Sequence, residues 1–342
     1  PYLLSYFLQT LYGMADLFIV GQFYGADCIT AVSVGSQVMH MVTVMIVGLA
    51  MGSTVTIGRA VGAKELKRAS LTVGNTISLF IGGLHLGAAG AALGTTLSQT
   101  FSVIVALLVV IRRKVGITFH RTDFKPQMAA IRQILTIGVP VALQDGFVQI
   151  SFIVITVIAN RRGLSDAAAV GIVEKIISLV FLVPSTMLST VSALSAQNIG
   201  AGKHDRAAAT LRYAICMAIG FGLVIGVVTQ FVGADVVGLF TADATVVTMG
   251  EEYIRSYIWD CAIAGIHFCF SGYFCAYGMS GIPFLYTILS IICVRVPGAY
   301  FASLYFPDNL YPMGLAAPGG SLLSVIVCLI AFAVLRKRRD LK

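Results

Sequence analysis

The fold is decided by two short stretches, VGAKELKRAS (Val61–Ser70) and IGAGKHDRAA (Ile199–Ala208), which match at a shift of 138 positions. A Gly-Ala pair and an Arg-Ala pair recur at equivalent places, and each stretch follows an apolar run and opens a basic loop. Further identities at this shift pair Gly25, Ala31, Val32 and Val42 with Gly163, Ala169, Val170 and Val180. A repeat of this length predicts two related halves.

The first half is shorter than the second. Ser102–Leu107 matches Ser324–Leu329 at a shift of 222, which exceeds the shift of 138 by 84 positions. The first half therefore lacks about 84 residues, enough for roughly three membrane spans. Leu71–Phe80 covers only about 15 Å as a helix, although two crossings are needed between the basic stretches around Arg68 and Arg112. The sequence predicts a gap near positions 80–81.

The composition is that of an integral membrane protein. Of the 342 residues, 58% are hydrophobic and 11% are charged, against roughly 25% charged in soluble domains. Apolar runs close to or above the ~20 residues of a spanning helix are Leu3–Val20, Ile29–Ile57, Leu93–Ile111, Ile137–Ile158, Ala167–Ala193, Ala208–Val232, Tyr253–Tyr277, Phe284–Tyr305 and Gly314–Leu335. The predicted fold is an all-α, polytopic membrane helical bundle of two pseudo-symmetric lobes. A complete protein would have twelve spans, of which about nine are present.

The charges predict the orientation. The net charge is +8, and most Lys and Arg lie in four stretches: Arg59–Arg68, Arg112–Arg132, Lys203–Arg212 and Arg336–Lys342. The loops between them carry acids, which is the positive-inside pattern. We therefore expect a multi-pass protein of the cell membrane (inner or plasma membrane) with a cytoplasmic C-terminus and without a nucleic-acid partner. The seven cysteines form no CxxC pair, so neither disulfides nor a metal site is predicted.

The domain organisation follows from the repeat. We predict an incomplete first lobe over 1–112, a cytoplasmic linker over 113–135, and a second lobe of six spans over 136–342. Two halves that enter from the same side form a parallel repeat around an axis along the membrane normal, as in some secondary transporters. No P-loop, HExxH, kinase or nucleophile-elbow motif occurs, so neither ATP-driven transport within this chain nor recognisable hydrolase chemistry is supported. We expect a membrane transporter without a cofactor and not an enzyme.

Polar residues inside apolar runs are the candidate functional residues, because a buried charge in a membrane costs at least ~2.5 kcal/mol. Asp16 is the acid of the first run. The candidates for a substrate cavity are Gln9, Gln37, Asp145, Gln149, Glu174, Asp260 and His267. Spacings of four and seven residues place Asp145 with Gln149, and Asp260 with His267, on shared helix faces.

Structural explanations compete with these functional ones. Gln and His in spans commonly make interhelical hydrogen bonds. Glu174 and Lys175 are adjacent and cannot share a face, so each needs its own partner, and a pair between Asp145 and Lys175 is one possibility. Arg295, close before Pro297, is expected to balance one of the acids.

The order and spacing of several motifs resemble the multidrug and toxic compound extrusion (MATE) transporters. The motifs are Asp16 followed by IVGQFYGAD, the Gly62-Ala63-Lys64 and Gly200-Ala201-Gly202-Lys203 loops, GAAGAALGTTLSQ (Gly87–Gln99) and GVP (Gly138–Pro140). The resemblance covers essentially the whole chain. It implies two six-helix lobes that export small amphipathic or cationic organic compounds in exchange for H⁺ or Na⁺.

The resemblance also implies residue roles. Asp16 matches the cation-coupling acid of the first helix, where Na⁺ could bind, and Thr95 matches a threonine beside it in the DinF-like branch. Pro1 matches the helix-bending proline of that branch. Ile77 stands where the branch has an acid, and Gln149 and His267 lie near places where the NorM-like branch has acids. By this pattern the chain looks DinF-like.

Three alternatives stay open at this stage. A lipid-linked saccharide flippase of the same superfamily would need a cationic cavity. A membrane-embedded enzyme acting on lipids would need clustered acids or histidines at the cytoplasmic interface, whereas Glu65, Asp123, Asp205 and Asp340 are dispersed. An inactive, truncated remnant would explain the missing segment. We expect a monomer whose partners are its substrates and membrane lipids.

Overall fold

The computed structural model describes Gly48 and residues 50–82, 125–241 and 243–337, in which every regular element is helical. The helices are α1 (50–62), α2 (Leu66–Gly82), α3 (Met128–Arg162), α4 (Leu164–Val180), α5 (Leu182–Gly200), α6 (His204–Gly238), α7 (Ala244–Tyr257), α8 (Asp260–Ala276), α9 (Gly281–Ser290), α10 (Val296–Tyr305), α11 (Tyr311–Gly314) and α12 (Ala316–Lys337). A π-helical turn, Ile291–Arg295, joins α9 to α10.

The long helices present apolar faces to their surroundings. On α3 the side chains of Leu143, Phe147, Ile150, Ile153 and Val157 are exposed. Their spacing of three and four residues places them on one side of the helix. Contact of such a large apolar face with lipid is favourable, whereas its exposure to water would be costly.

Five described stretches are long and apolar enough to cross a membrane: α3, α4 with α5, α6, α9 with α10, and α11 with α12. The pair α7 and α8, bent by 42°, adds a sixth if it is counted as one span. The predicted helical membrane fold is confirmed. The boundaries predicted for the two lobes stay a prediction. Helix α3 begins at Met128, ahead of the lobe boundary predicted at 136, because the helix starts before its apolar run does.

Four of the described spans contain breaks, and the one between α11 and α12 is the single residue Leu315. The break between α4 and α5 lies at Phe181, and Pro184 follows it. Proline has no N–H to donate to the preceding turn, so the helix is interrupted there. Pro297 follows the π-helical turn in the same way. The bend between α7 and α8 lies at Ile258 and Trp259, without a proline.

The second lobe, α3 to α12, packs around α8. A Cβ atom on Gly272 of α8 would lie 2.4 Å from the carbonyl oxygen of Leu188 on α5, and one on Gly265 would lie 2.8 Å from the Cβ of Ala218 on α6. Glycines at these positions let the helix backbones approach closely, as is typical of membrane bundles.

The described part of the first lobe, α1 and α2, contacts the second lobe directly. A Cβ on Gly52 would lie 2.1 Å from the carbonyl oxygen of Ile134, and one on Gly48 would lie 2.7 Å from the Cα of Ala142, both on α3. Basic residues gather at this end of the bundle, where α1 ends, α5 ends and α6 begins. We call it the basic end.

At the opposite end, Arg162 ties three segments together. Its Nε lies 3.0 Å from Oδ2 of Asp166, and both side chains are buried. Its terminal nitrogens donate to the carbonyl oxygens of Phe306, Pro307 and Asn309. The end of α3, the start of α4 and the loop after α10 are therefore held by one guanidinium.

Candidate functional site

Three charged side chains from distant parts of the second lobe interact inside it. Glu174 lies on α4, Asp260 is the first residue of α8, and Arg295 is the last residue of the π-helical turn. The turn precedes Pro297, whose ring and missing N–H disturb regular helix. Short π-helical turns inside membrane helices are frequent at functional sites.

Arg295 is enclosed by aromatic rings. Its Nη2 donates to the hydroxyl of Tyr257 at 2.6 Å, and its Cζ lies 4.6 Å from the ring centroid of Phe152. Its Nε is buried without a hydrogen-bond partner in the part of the chain that the structure describes. Glu174 and Asp260 both interact electrostatically with this guanidinium, so the two acids balance a cation that is costly to bury alone.

Each of the two acids is half satisfied. The Thr156 hydroxyl donates to Oε2 of Glu174 at 3.3 Å, and the side chain of Ser321 interacts with the Asp260 carboxyl group. Oε1 of Glu174 and Oδ1 of Asp260 are buried and have no partner among the described residues. Buried polar atoms are nearly always satisfied, so these two oxygens point to a water molecule or an ion.

His267 lies two turns beyond Asp260 on α8 and also interacts with Arg295. Its ring packs edge-on against Tyr286, with centroids 5.9 Å apart, and the Tyr286 hydroxyl donates to its backbone carbonyl at 3.0 Å. Its Nδ1 is buried with no partner within the described ranges. His267 thus adds a third incompletely satisfied group to the surroundings of Arg295.

The cluster can hold one small positive charge. Two ionised carboxylates and one guanidinium carry a net charge of −1, which a proton or a monovalent cation would neutralise. Ca²⁺ and Mg²⁺ need about six or more oxygen ligands, and the described residues contain no group of three or more His, Cys, Asp or Glu that could hold a metal ion. The chemistry available is therefore reversible protonation or binding of a monovalent cation.

Asp145 and Gln149 lie elsewhere, on the face of α3 that is directed towards the first lobe. Gly48 approaches Ala142 on that face, and Asp145 and Gln149 follow Ala142 at spacings of three and seven residues. Lys175 is exposed, and no ion pair joins it to Asp145 in the described ranges. The pairing of these two residues considered from the sequence is therefore not found.

The structure brings Glu174, Asp260 and His267 together around Arg295 and keeps Asp145 and Gln149 apart from them. Sequence reasoning missed the hydroxyls of Thr156, Tyr257 and Ser321, because hydroxyl residues are common in membrane helices and carry no distinctive pattern. The other predicted residues, Pro1, Gln9, Asp16, Gln37 and Thr95, lie outside the described residues, so their roles stay predictions.

A family model, MatE, matches residues 1–119 and again residues 140–301, which together make up most of the chain. The chain belongs to the MatE family. The two separate matches agree with the internal repeat and with the two lobes of the fold.

Relatives agree with this membership. The probable multidrug resistance protein YoeA of Bacillus subtilis is 21% identical over 417 residues, which cover 96% of this chain and 90% of YoeA. The multidrug export protein MepA of Staphylococcus aureus is 26% identical over 220 residues, covering 63% of this chain and 48% of MepA. The match to MepA thus spans about half the length of that relative.

Solved structures share the fold of this MatE protein. A MOP superfamily transporter from Pyrococcus furiosus, described as having a binding pocket of reverse polarity, superimposes with a TM-score of 0.86 at 17% identity and covers 100% of this chain and 95% of that one. A mutant of the Vibrio cholerae MATE transporter VcmN gives a TM-score of 0.85 at 15% identity, covering 98% and 95%.

Two conclusions follow from the comparisons. The chain is a multi-pass membrane transporter and not an enzyme. The alignment with YoeA extends over 417 positions, whereas the whole chain has 342 residues, so at least 75 aligned positions face no residue of this chain. This number of unmatched positions agrees with the length of the missing segment that the two repeat shifts predict.

Proposed function

We propose that this MatE protein is a secondary antiporter that exports amphipathic organic cations, including drugs, in exchange for H⁺ or Na⁺. It would act as a monomer in the cell membrane, with its basic end and its C-terminus in the cytoplasm. The names of YoeA and MepA support drugs as the substrate class. The face of α3 directed towards the first lobe supports cationic substrates, because its polar residues are Asp145 and Gln149.

The observation that carries this proposal is the charged cluster of the second lobe. Glu174 and Asp260 each have a buried oxygen without a partner among the described residues. Both interact with the Arg295 guanidinium, which balances one of their two negative charges. A coupling ion must change the relative stability of two conformations, because a ligand with equal affinity for both shifts nothing. A cation bound in this cluster would alter the packing between α4, α8 and the π-helical turn, and Asp16 would serve the first lobe in the same way.

Neutralising the two acids is expected to uncouple export. Glu174→Gln and Asp260→Asn keep the shape of each side chain and remove its charge. Introduced into a version with the homologous segment restored between Phe80 and Ile81, each should lower ethidium efflux by about 5–150-fold, the usual range of coupling between two sites. Efflux from drug-sensitive cells measures the effect. Asp235→Asn, an exposed acid of α6, is the matched control and should retain parental efflux. Full efflux by both cluster variants would exclude the cluster from coupling.

The missing segment is tested separately. We expect no efflux of ethidium or norfloxacin from the 342-residue chain, efflux from a version with the homologous segment restored between Phe80 and Ile81, and loss of that efflux with Asp16→Asn. Efflux that is insensitive to Asp16→Asn would remove Asp16 from the mechanism. A well-expressed restored protein without efflux would favour the flippase, and activity of the restored version alone would mark this chain as an inactive remnant.

A further inference from the structure

The lobes cross at the basic end through a contact that is itself two-fold symmetric. A Cβ on Gly62 of α1 would lie 1.9 Å from the carbonyl oxygen of Gln197 on α5, and one on Gly200 of α5 would lie 2.0 Å from the carbonyl oxygen of Arg59 on α1. The repeat shift of 138 relates Gly62 to Gly200 and Arg59 to Gln197. Gly62 therefore packs on Gln197 in the same way as its repeat counterpart Gly200 packs on Arg59.

The axis of this symmetry lies between Gly58 and Ala196, which the same shift also relates. A Cβ on Gly58 would lie 3.1 Å from the Cβ of Ala196. The contact is built from backbone atoms of both lobes, so a full separation of α1 from α5 breaks both halves of the crossing.

One side chain breaks the symmetry. Nε of Arg59 donates to the carbonyl oxygen of Ala276 at 2.7 Å, and Nη2 donates to the same oxygen. Ala276 ends α8, and a cation is favoured at a helix C-terminus. Gly278 has a φ of +78°, and a Cβ there would lie 3.1 Å from Nη2 of Arg59. The counterpart of Arg59 is the uncharged Gln197, so no second guanidinium is available for the same bond at the other half of the crossing.

Water can reach this guanidinium from the basic end. A cavity of about 550 Å³ is lined there by Arg59, Gln133, Gly200, His204 and Tyr277, among others. If Arg59 leaves the Ala276 carbonyl, its guanidinium enters this cavity and is not left in an apolar environment, which would be far more costly. The bond is therefore positioned to release and form again.

We propose that the glycine crossing of α1 and α5 is the cytoplasmic gate between the lobes, and that Arg59 is the latch that holds it closed. The inference rests on the proposed antiport, which requires the cytoplasmic side to open. In the structure the gate is closed: the glycines are in backbone contact and the latch is formed. Opening separates α1 from α5 and breaks the bond between Arg59 and Ala276 in one movement.

Spin labels at Lys67→Cys and Asp205→Cys test the gate without any substrate. Both positions are exposed, and the shift of 138 relates them. The background carries serine at Cys28 and at the exposed Cys216 and Cys293. In lipid nanodiscs at acidic and alkaline pH, with NaCl or choline chloride, we expect a short distance from the closed gate and a longer one in at least one condition.

The variants give the decisive comparison. Gly62→Ala and Gly200→Ala each place a Cβ against a backbone carbonyl, and overpacking of this kind should raise the open-to-closed ratio by about tenfold or more. Both should act alike, although they lie in different lobes. Arg59→Gln removes the latch without overpacking and should shift the ratio in the same direction. The control is Gly220→Ala on α6, whose Cβ would meet nothing within 4 Å. Unchanged distances in all three gate variants would overturn the proposal.

A cross-link separates this proposal from the proposed function. Gly58→Cys with Ala196→Cys brings two Cβ atoms close to the ~3.5–4.5 Å of a disulfide. In a version that exports ethidium, oxidation of this pair should abolish efflux and reduction should restore it. Undiminished efflux from the cross-linked protein would overturn the gate and leave antiport standing. If no version exports, antiport fails, and the spin-label distances alone decide whether the gate opens.

Discussion

Replacing Arg162 with alanine is expected to lower the stability of the protein by about 3–5 kcal/mol, the usual cost of removing one partner from a buried ion pair. The Arg162 and Asp166 side chains are only 6% and 7% exposed. The variant would leave the Asp166 carboxylate without its cation and the carbonyls of Phe306, Pro307 and Asn309 without this donor. Thermal unfolding in detergent, followed by tryptophan fluorescence or size-exclusion chromatography, measures the loss.

The neighbouring arginine provides the control. Arg161 carries the same charge on the same helix but is exposed, so Arg161→Ala should change stability by less than about 0.5 kcal/mol. The double variant of Arg162→Ala with Asp166→Asn should be more stable than Arg162→Ala alone, because it removes the uncompensated charge. Equal melting temperatures for Arg161→Ala and Arg162→Ala would show that the ion pair does not hold this end of the bundle.

Replacing Arg295 with methionine is expected to have the second large effect. Methionine fills a similar space but removes the cation that interacts with both Glu174 and Asp260, and leaving buried charges without their partner should destabilise the protein by about 3–5 kcal/mol. Adding Asp260→Asn removes one of the two acids and should recover part of that loss. Thermal unfolding of both single variants and of the double variant gives the coupling energy between Arg295 and Asp260.

The matched control for this cycle is Arg212→Met on the exposed side of α6. It should change the melting temperature little by itself, and it should not change the effect of Asp260→Asn on stability. Strictly additive losses in the cycle of Arg295 and Asp260 would mean that the two charges do not stabilise one another. The cluster would then lose its physical basis as a charge-balanced site.

Much of the helical framework could be predicted from the sequence, because a membrane span needs a long apolar run and leaves that run visible. The predicted runs from Ile137 onwards correspond to the described spans of the second lobe. The bend of 42° between α7 and α8 could not be predicted. It interrupts the single run Tyr253–Tyr277 at Trp259 without a Pro or Gly that would announce it. A bend of this kind is imposed by packing against other helices and not by local sequence.

The site could be predicted only in part. Glu174 and Asp260 stand out because acids are rare in apolar runs, and Arg295 could be anticipated as a balancing charge. That α4, α8 and the π-helical turn bring these three side chains together is a property of long-range packing, which no spacing along the chain reveals. The same limit explains Asp145 and Lys175, whose opposite charges suggest a pair, although no ion pair joins them in the described ranges.

The crossing of α1 and α5 also has an entropic consequence. Most contacts between domains immobilise long side chains, each of which loses up to about 2 kcal/mol of rotamer freedom on burial. Gly58, Gly62 and Gly200 have no side chain to immobilise. Two surfaces of bare backbone can therefore meet and part repeatedly at this crossing without any rotamer search by these three residues.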